Sequence, residues 1–172
     1  MRRPRKIFLM IAVLLSTVGL DQITKMIART EIESRSPILL FGGILRLQYV
    51  ENPGAFLSLG AGLSERTRFW LFTVIVGSFL AGLFLYLLLN RHLNSIDVTA
   101  LSLILGGGVG NLIDRLFRDD RVIDFMVIGL GPLRTGVFNM ADVAITVGVG
   151  LLFWAGIRSP RRRELQKRSL HS

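Results

Sequence analysis

Phe69-Trp70-Leu71-Phe72-Thr73-Val74-Ile75-Val76-Gly77-Ser78-Phe79-Leu80-Ala81-Gly82-Leu83-Phe84-Leu85-Tyr86-Leu87-Leu88-Leu89 runs without a single charge. At about 1.5 Å per residue, a helix of this length crosses the roughly 30 Å hydrocarbon layer of a bilayer. Three further segments read the same way. Val98–Ile113 is uncharged between Asp97 and Asp114, and Val143–Ile157 is uncharged after Phe138-Asn139-Met140-Ala141-Asp142. The first uncharged stretch, Ile7–Leu20, covers only about 21 Å. A full crossing there must include Asp21, Gln22, Thr24 and Lys25. A cleavable signal peptide is the competing reading of this end, but no clear Ala-x-Ala site is present and the apolar pattern resumes at Met26-Ile27-Ala28. The expected fold is an all-α membrane protein in a single domain, residues 1–172. Its four spans are expected at about 7–28, 68–89, 97–115 and 139–158.

Composition agrees. Of 172 residues, 51% are hydrophobic and the mean hydropathy is +0.52, beyond the range of ordinary soluble domains. The formal charge of +9 is concentrated in Arg2-Arg3-Pro4-Arg5-Lys6 and from Arg158 to Arg168. Basic ends on a multi-span chain mark the cytoplasmic side, whereas no soluble module is left to bind nucleic acid. An even number of spans puts both termini inside, with Arg91-His92 and the basic tail 159–172. Loops 29–67 and 116–138 then face outward. Within the first loop, Ile44–Val50 alternates in polarity after Gly42-Gly43 and reads as a strand. Gly129, Gly131, Pro132 and Gly136 mark turns in the second.

This topology brings Asp21, Asp114, Asp124 and Asp142 to one depth at the outer face. Ionisable groups at membrane depth cost at least about 2.5 kcal/mol each on insertion scales, so a chain that gathers several is expected to use them. Each also has an ordinary reading. Asp21 and Lys25 are spaced as a helical ion pair. Asn139 and Asp142 are spaced as a helix cap and its third residue. Asp114 could pair with Arg115, and Asp124 could be a strand residue with a solvated carboxylate. Gly106-Gly107-Gly108-Val109-Gly110 lacks the Gly-Lys-Ser/Thr of a phosphate loop and suits close helix packing. Asn52-Pro53-Gly54-Ala55-Phe56 reads as a turn or as hydrogen-bonding groups for an extended peptide.

The chemistry narrows by residue type. There is no cysteine, and His92 and His171 fall on the opposite side, so zinc and thiol proteolysis are disfavoured. A Ser-Lys dyad of Lys25 with Ser58 has no support in spacing. Two close carboxylates share one proton. One can activate water while the other protonates a scissile carbonyl, without metal or cofactor. Spacing alone leaves open which two aspartates pair. A small ion or solute transporter using outer-leaflet carboxylates, or a scaffold protein, are the readings from other classes.

Asp21-Gln22-Ile23-Thr24-Lys25, Asn52-Pro53-Gly54-Ala55-Phe56, Gly107 through Arg115, Val122-Ile123-Asp124-Phe125 and Phe138 through Asp142 together resemble the lipoprotein signal peptidase (signal peptidase II) family, in order and over nearly the whole chain. The resemblance implies four transmembrane helices, a small periplasmic β-cradle and a second periplasmic loop or helix. It implies an aspartyl endopeptidase in the bacterial inner membrane, with its active site at the periplasmic face. Its substrate would be a diacylglyceryl-modified prolipoprotein, cut just before the lipidated cysteine. By resemblance Asp124 and Asp142 are the catalytic pair. Asn52, Gly54, Asn111, Asp114, Arg115 and Asn139 contact substrate or shape the site, and Asp21 and Lys25 support it. No metal or cofactor is implied; the expected partners are the lipidated substrate and membrane lipids, and nothing in the sequence requires more than a monomer. The family often reads Asn-x-Gly-Ala-Ala-Phe, whereas Phe56 here follows Ala55 directly.

Overall fold

The computed structural model describes residues 2–54, 60 and 62–158; Ala55, Phe56, Ser58 and the basic tail 159–172 with His171 lie outside them. Among the described residues, four helices are long and apolar enough to cross a membrane. Helix α1 spans Arg3–Glu31, α2 Glu65–Leu89, α3 Ser95–Phe117 and α4 Met140–Arg158. Pro4 sits in the first turn of α1, where a missing N–H costs nothing. Helix α1 then runs unbroken through Asp21 and Lys25, both fully buried. Ser64 caps α2, accepting from the Thr67 amide, and Phe69–Ile75 widens into π-helical turns. Asn94 and Asp97 cap α3 reciprocally.

The helix surfaces are apolar outward. Phe8, Leu15, Phe79, Leu89 and Phe153 are all exposed, which suits lipid and not water. Inward, Met10, Leu80, Leu87, Val98 and Leu105 form a core between α1, α2 and α3. At that end the buried Lys6 ammonium donates to the carbonyls of Leu87, Leu88 and Asn90 at 2.6, 3.1 and 2.8 Å. It thereby fixes the start of α1 to the end of α2, where helix carbonyls lack partners.

Glycines let α3 approach its neighbours. A Cβ on Gly107 would strike the Ala141 carbonyl of α4, and one on Gly148 would meet the Ala100 carbonyl at 2.6 Å. Gly107→Ala is therefore expected to push α3 from α4 and cost about 1–3 kcal/mol by overpacking. Thermal unfolding in detergent checks this; an unchanged midpoint would contradict it.

At the other end, four strands form an antiparallel sheet in the order β1-β2-β3-β4. They are β1 Ile38–Leu40, β2 Leu45–Asn52, β3 Val122–Leu130 and β4 Leu133–Arg134. Gly42 and Gly43, at φ +66° and +89°, turn the chain between β1 and β2. The second segment, expected as a loop or helix, supplies half of this sheet. Its run Val122-Ile123-Asp124-Phe125-Met126 is β-prone, and β2 offers it a partner. Asn52, expected in a turn, is the last residue of β2 and faces Val122.

Candidate active site

Strand alternation aims Asp124. Ile123 and Phe125 pack on Ala28 of α1 and on Ile32 just after it. Val122 and Asp124, one residue out of phase, line a small cavity beneath the sheet. Asp142 reaches the same cavity from α4. Asn139 and Asp142 cap that helix reciprocally: the Asp142 amide donates to Asn139 Oδ1 at 3.0 Å and the Asn139 amide to Asp142 Oδ2 at 3.2 Å. The cap is thus real, and it also orients the carboxylate.

Asparagines hold the two acids. Asn52 Nδ2 donates to Asp124 Oδ2 at 2.9 Å, and Asn139 Nδ2 donates to Asp124 Oδ1 at 2.7 Å. Asn111 Nδ2 donates to Asp142 Oδ1 at 3.1 Å. None of these amides is free to turn over. Asn52 Oδ1 accepts from the Gly54 amide at 2.8 Å, and Asn139 Oδ1 accepts from the Asp142 amide. Asn111 Oδ1 accepts from Lys25 Nζ at 2.9 Å and from Asn139 Nδ2 at 3.0 Å. The cavity between Asp124 and Asp142 measures about 20 Å³, enough for one water molecule.

Beneath lies a second layer. Lys25 Nζ pairs with Asp21 Oδ2 at 2.8 Å and Asp114 Oδ2 at 2.9 Å, all three side chains fully buried. Asp21 Oδ1 accepts the Ala141 amide at 2.9 Å and Asp114 Oδ2 the Ile123 amide at 3.1 Å. One charge cluster thus ties α1, α3, α4 and β3. The Asp21–Lys25 pair is present, but Asp114 pairs with Lys25 and, at 3.5 Å, with Arg118 instead of Arg115. Arg115 donates to the Gly54 carbonyl at 2.8 Å and lies over the Phe72 ring at 5.5 Å from its centroid. Asp124 is only 3% exposed, so it is not a solvated strand residue. Burial pushes its carboxyl up to about 6; the Asn52 hydrogen bond opposes this, the nearby Asp142 charge adds to it, and Asn139 and Lys25 oppose it more weakly.

The profile described as signal peptidase (SPase) II matches residues 13–158. The chain belongs to the signal peptidase II family. It is therefore a peptidase, and the transporter and scaffold readings are not favoured. Lipoprotein signal peptidases of Moorella thermoacetica and Symbiobacterium thermophilum are 37% and 36% identical, over 86% and 84% of this chain and 90% and 92% of theirs. The Halalkalibacterium halodurans lipoprotein signal peptidase is 36% identical over 90% of this chain and 96% of its own. A solved bacterial membrane enzyme superposes with a TM-score of 0.74 at 28% identity, covering 87% of each chain.

Sequence reasoning gave no role to Gln22 of this family member. Its Nε2 donates to Asp114 Oδ1 at 3.2 Å and the Gly110 carbonyl at 3.1 Å. A polar amide beside Asp21 in an apolar helix was the available signal. Arg118, on the face of α3 shared with Asn111 and Asp114, also escaped notice.

Proposed function

We propose that this chain removes the signal peptide from diacylglyceryl-modified prolipoproteins, cutting just before the lipidated cysteine, with Asp124 and Asp142 as the catalytic pair. One observation carries the assignment: a buried carboxylate from a strand and a half-buried one from a helix line one water-sized cavity and are bridged by Asn139. Asp124, the acid raised by burial, holds the shared proton and gives it to the scissile carbonyl oxygen. Asp142, oriented by Asn111 and by the amide at the start of α4, takes a proton from the water. The resulting tetrahedral species collapses as the leaving amine is protonated. Asn52, Asn111 and Asn139 fix the acids; Gly54 and Arg115 form the wall past which the peptide lies. Lys25, Asp21 and Asp114 support that frame. No metal or cofactor enters the step.

An apolar cavity of about 320 Å³ lies beside Asp142, lined by Ile128, Phe138, Val143 and Val147 among others. It suits an acyl chain or an apolar helix, as a substrate with two lipid tails requires. The protein sits in the bacterial inner membrane as a monomer. Its termini are cytoplasmic, where Lys6 and Arg91 lie, and the sheet and acids face the periplasm. Purified protein in detergent is expected to shorten a lipidated prolipoprotein and leave the unlipidated precursor intact. Ion flux in liposomes without cleavage would favour a transporter instead.

The proton on Asp124 sets a pH dependence. The value of kcat/KM is expected to fall about tenfold per unit above about pH 6, as the shared proton is lost. The stability effect has the same sign. An acid raised on folding makes the native state bind protons more tightly, so this group's contribution declines as pH climbs from about 4 to about 6. A pH–rate profile rising across pH 6–8 would contradict the assignment.

A further inference from the structure

A further cavity, about 660 Å³, opens between the outer ends of α2 and α3. Glu65, Arg66, Arg68 and Phe69 from the start of α2 line it together with Arg115, Leu116, Asp119 and Asp120 from the end of α3. Two polar atoms of its lining residues are buried without a hydrogen-bond partner: Arg115 Nε, a donor, and Asp120 Oδ2, an acceptor. The remaining atoms of both groups are occupied. Arg115 gives Nη2 to the Gly54 carbonyl and Nη1 to the Asn111 carbonyl. Asp120 Oδ1 accepts from Thr73 Oγ1 at 2.7 Å, out of the π-helical turns of α2. Asp120 is held at this spot by the turn ending α3, in which Asp119 and Asp120 take φ +49° and +62°. That left-handed conformation is one aspartate tolerates better than most side chains.

We propose that this cavity receives the backbone of the substrate on the carboxyl side of the scissile bond, with one peptide carbonyl on Arg115 Nε and one peptide N–H on Asp120 Oδ2. The proposal rests on the peptidase function above. A buried donor and a buried acceptor each cost free energy until paired, and a peptide unit supplies the complement of both. A phosphate would answer Arg115 and be repelled by the three carboxylates; an ammonium would do the reverse. Polarity separates the two sides of the reaction. The apolar cavity beside Asp142 suits lipid or the signal helix, and this charged cavity suits the hydrophilic chain that follows the cysteine. Arg115 is a wall of both this cavity and the one holding the acids, so a chain bound across the scissile position reaches it within a few residues. Because backbone atoms are read, many downstream sequences are accepted.

The test compares two diacylglyceryl-cysteine peptides with the same signal sequence. One ends as an amide at the lipidated cysteine and the other continues for several residues. The wild-type protein is expected to favour the longer peptide about tenfold in kcat/KM, mainly through KM. N-methylation of one downstream amide should erase that preference. Asp120→Asn keeps an oxygen for Thr73 but turns an NH₂ toward the substrate N–H, so the preference for the longer peptide should also collapse. Equal rates on both peptides with the wild-type protein would overturn the proposal. So would an Asp120→Asn variant that slows both peptides equally, which marks a packing role. Failure to cut either peptide would instead remove the peptidase reading on which it stands.

Discussion

Asp124→Asn and Asp142→Asn are each expected to reduce cleavage of a lipidated prolipoprotein by a factor on the order of 10²–10⁴ in kcat, the scale of general acid–base catalysis. Neither asparagine can carry or accept the shared proton. The surrounding amides are locked as donors, which separates this loss from an effect on folding. At position 124 both oxygens already accept, from Asn52 and Asn139, so a new NH₂ must face a donor. At position 142 the oxygens accept from Asn111 Nδ2 and the Asn139 amide. Each variant is thus expected to lose about 1–3 kcal/mol of stability, too little to unfold the chain. The thermal midpoint should fall modestly and lipidated substrate should still bind. Residual cleavage within tenfold of the wild-type rate would contradict the pair.

The four helices were legible because uncharged runs bounded by charges leave few alternatives in lipid. The aspartates were legible for the same reason: a carboxylate in an apolar context stands out. The sheet was half legible. Ile44–Val50 announced β2 by alternation, but Val122–Leu130 is apolar on both faces, packing on α1 with one and lining the site with the other. Alternation is therefore absent from β3, and its turn-rich continuation suggested a loop. Side-chain partners at long range were not legible. Asp114-Arg115 are adjacent, yet helix geometry sends Asp114 toward α1 and Arg115 toward Gly54. The Asp21–Lys25 spacing gave the pair but not the third member, Asp114, from another helix.

That third member makes Lys25→Met the most destabilising single change expected. All three acceptors of the ammonium are buried: Asp21 and Asp114 fully, and Asn111 in part. Without it Asp21 has no cation within ion-pair distance and Asp114 keeps only Arg118, at 3.5 Å. Breaking one side of a buried ion pair typically costs about 3–5 kcal/mol. Activity should fall too. Asn111 Oδ1 keeps only the Asn139 Nδ2 donor, so the Asn111 amide that donates to Asp142 is held less firmly. Lys25→Met/Asp21→Asn should recover part of the stability by removing one of the stranded charges. Thermal unfolding in detergent reads both variants. A loss below about 1 kcal/mol for Lys25→Met would show that the cluster is solvated, as surface pairs are.

Because the chain contains no cysteine, Asp124→Cys/Asp142→Cys carries two thiols and no others. Mercuric ion added to this variant, read by intact mass and by resistance to alkylation, reports whether the two positions share one small cavity. The expected result is a single mercury atom bridging both thiols with both protected. Two thiols that alkylate independently, with no bridged species, would contradict the claim that Asp124 and Asp142 act on one water.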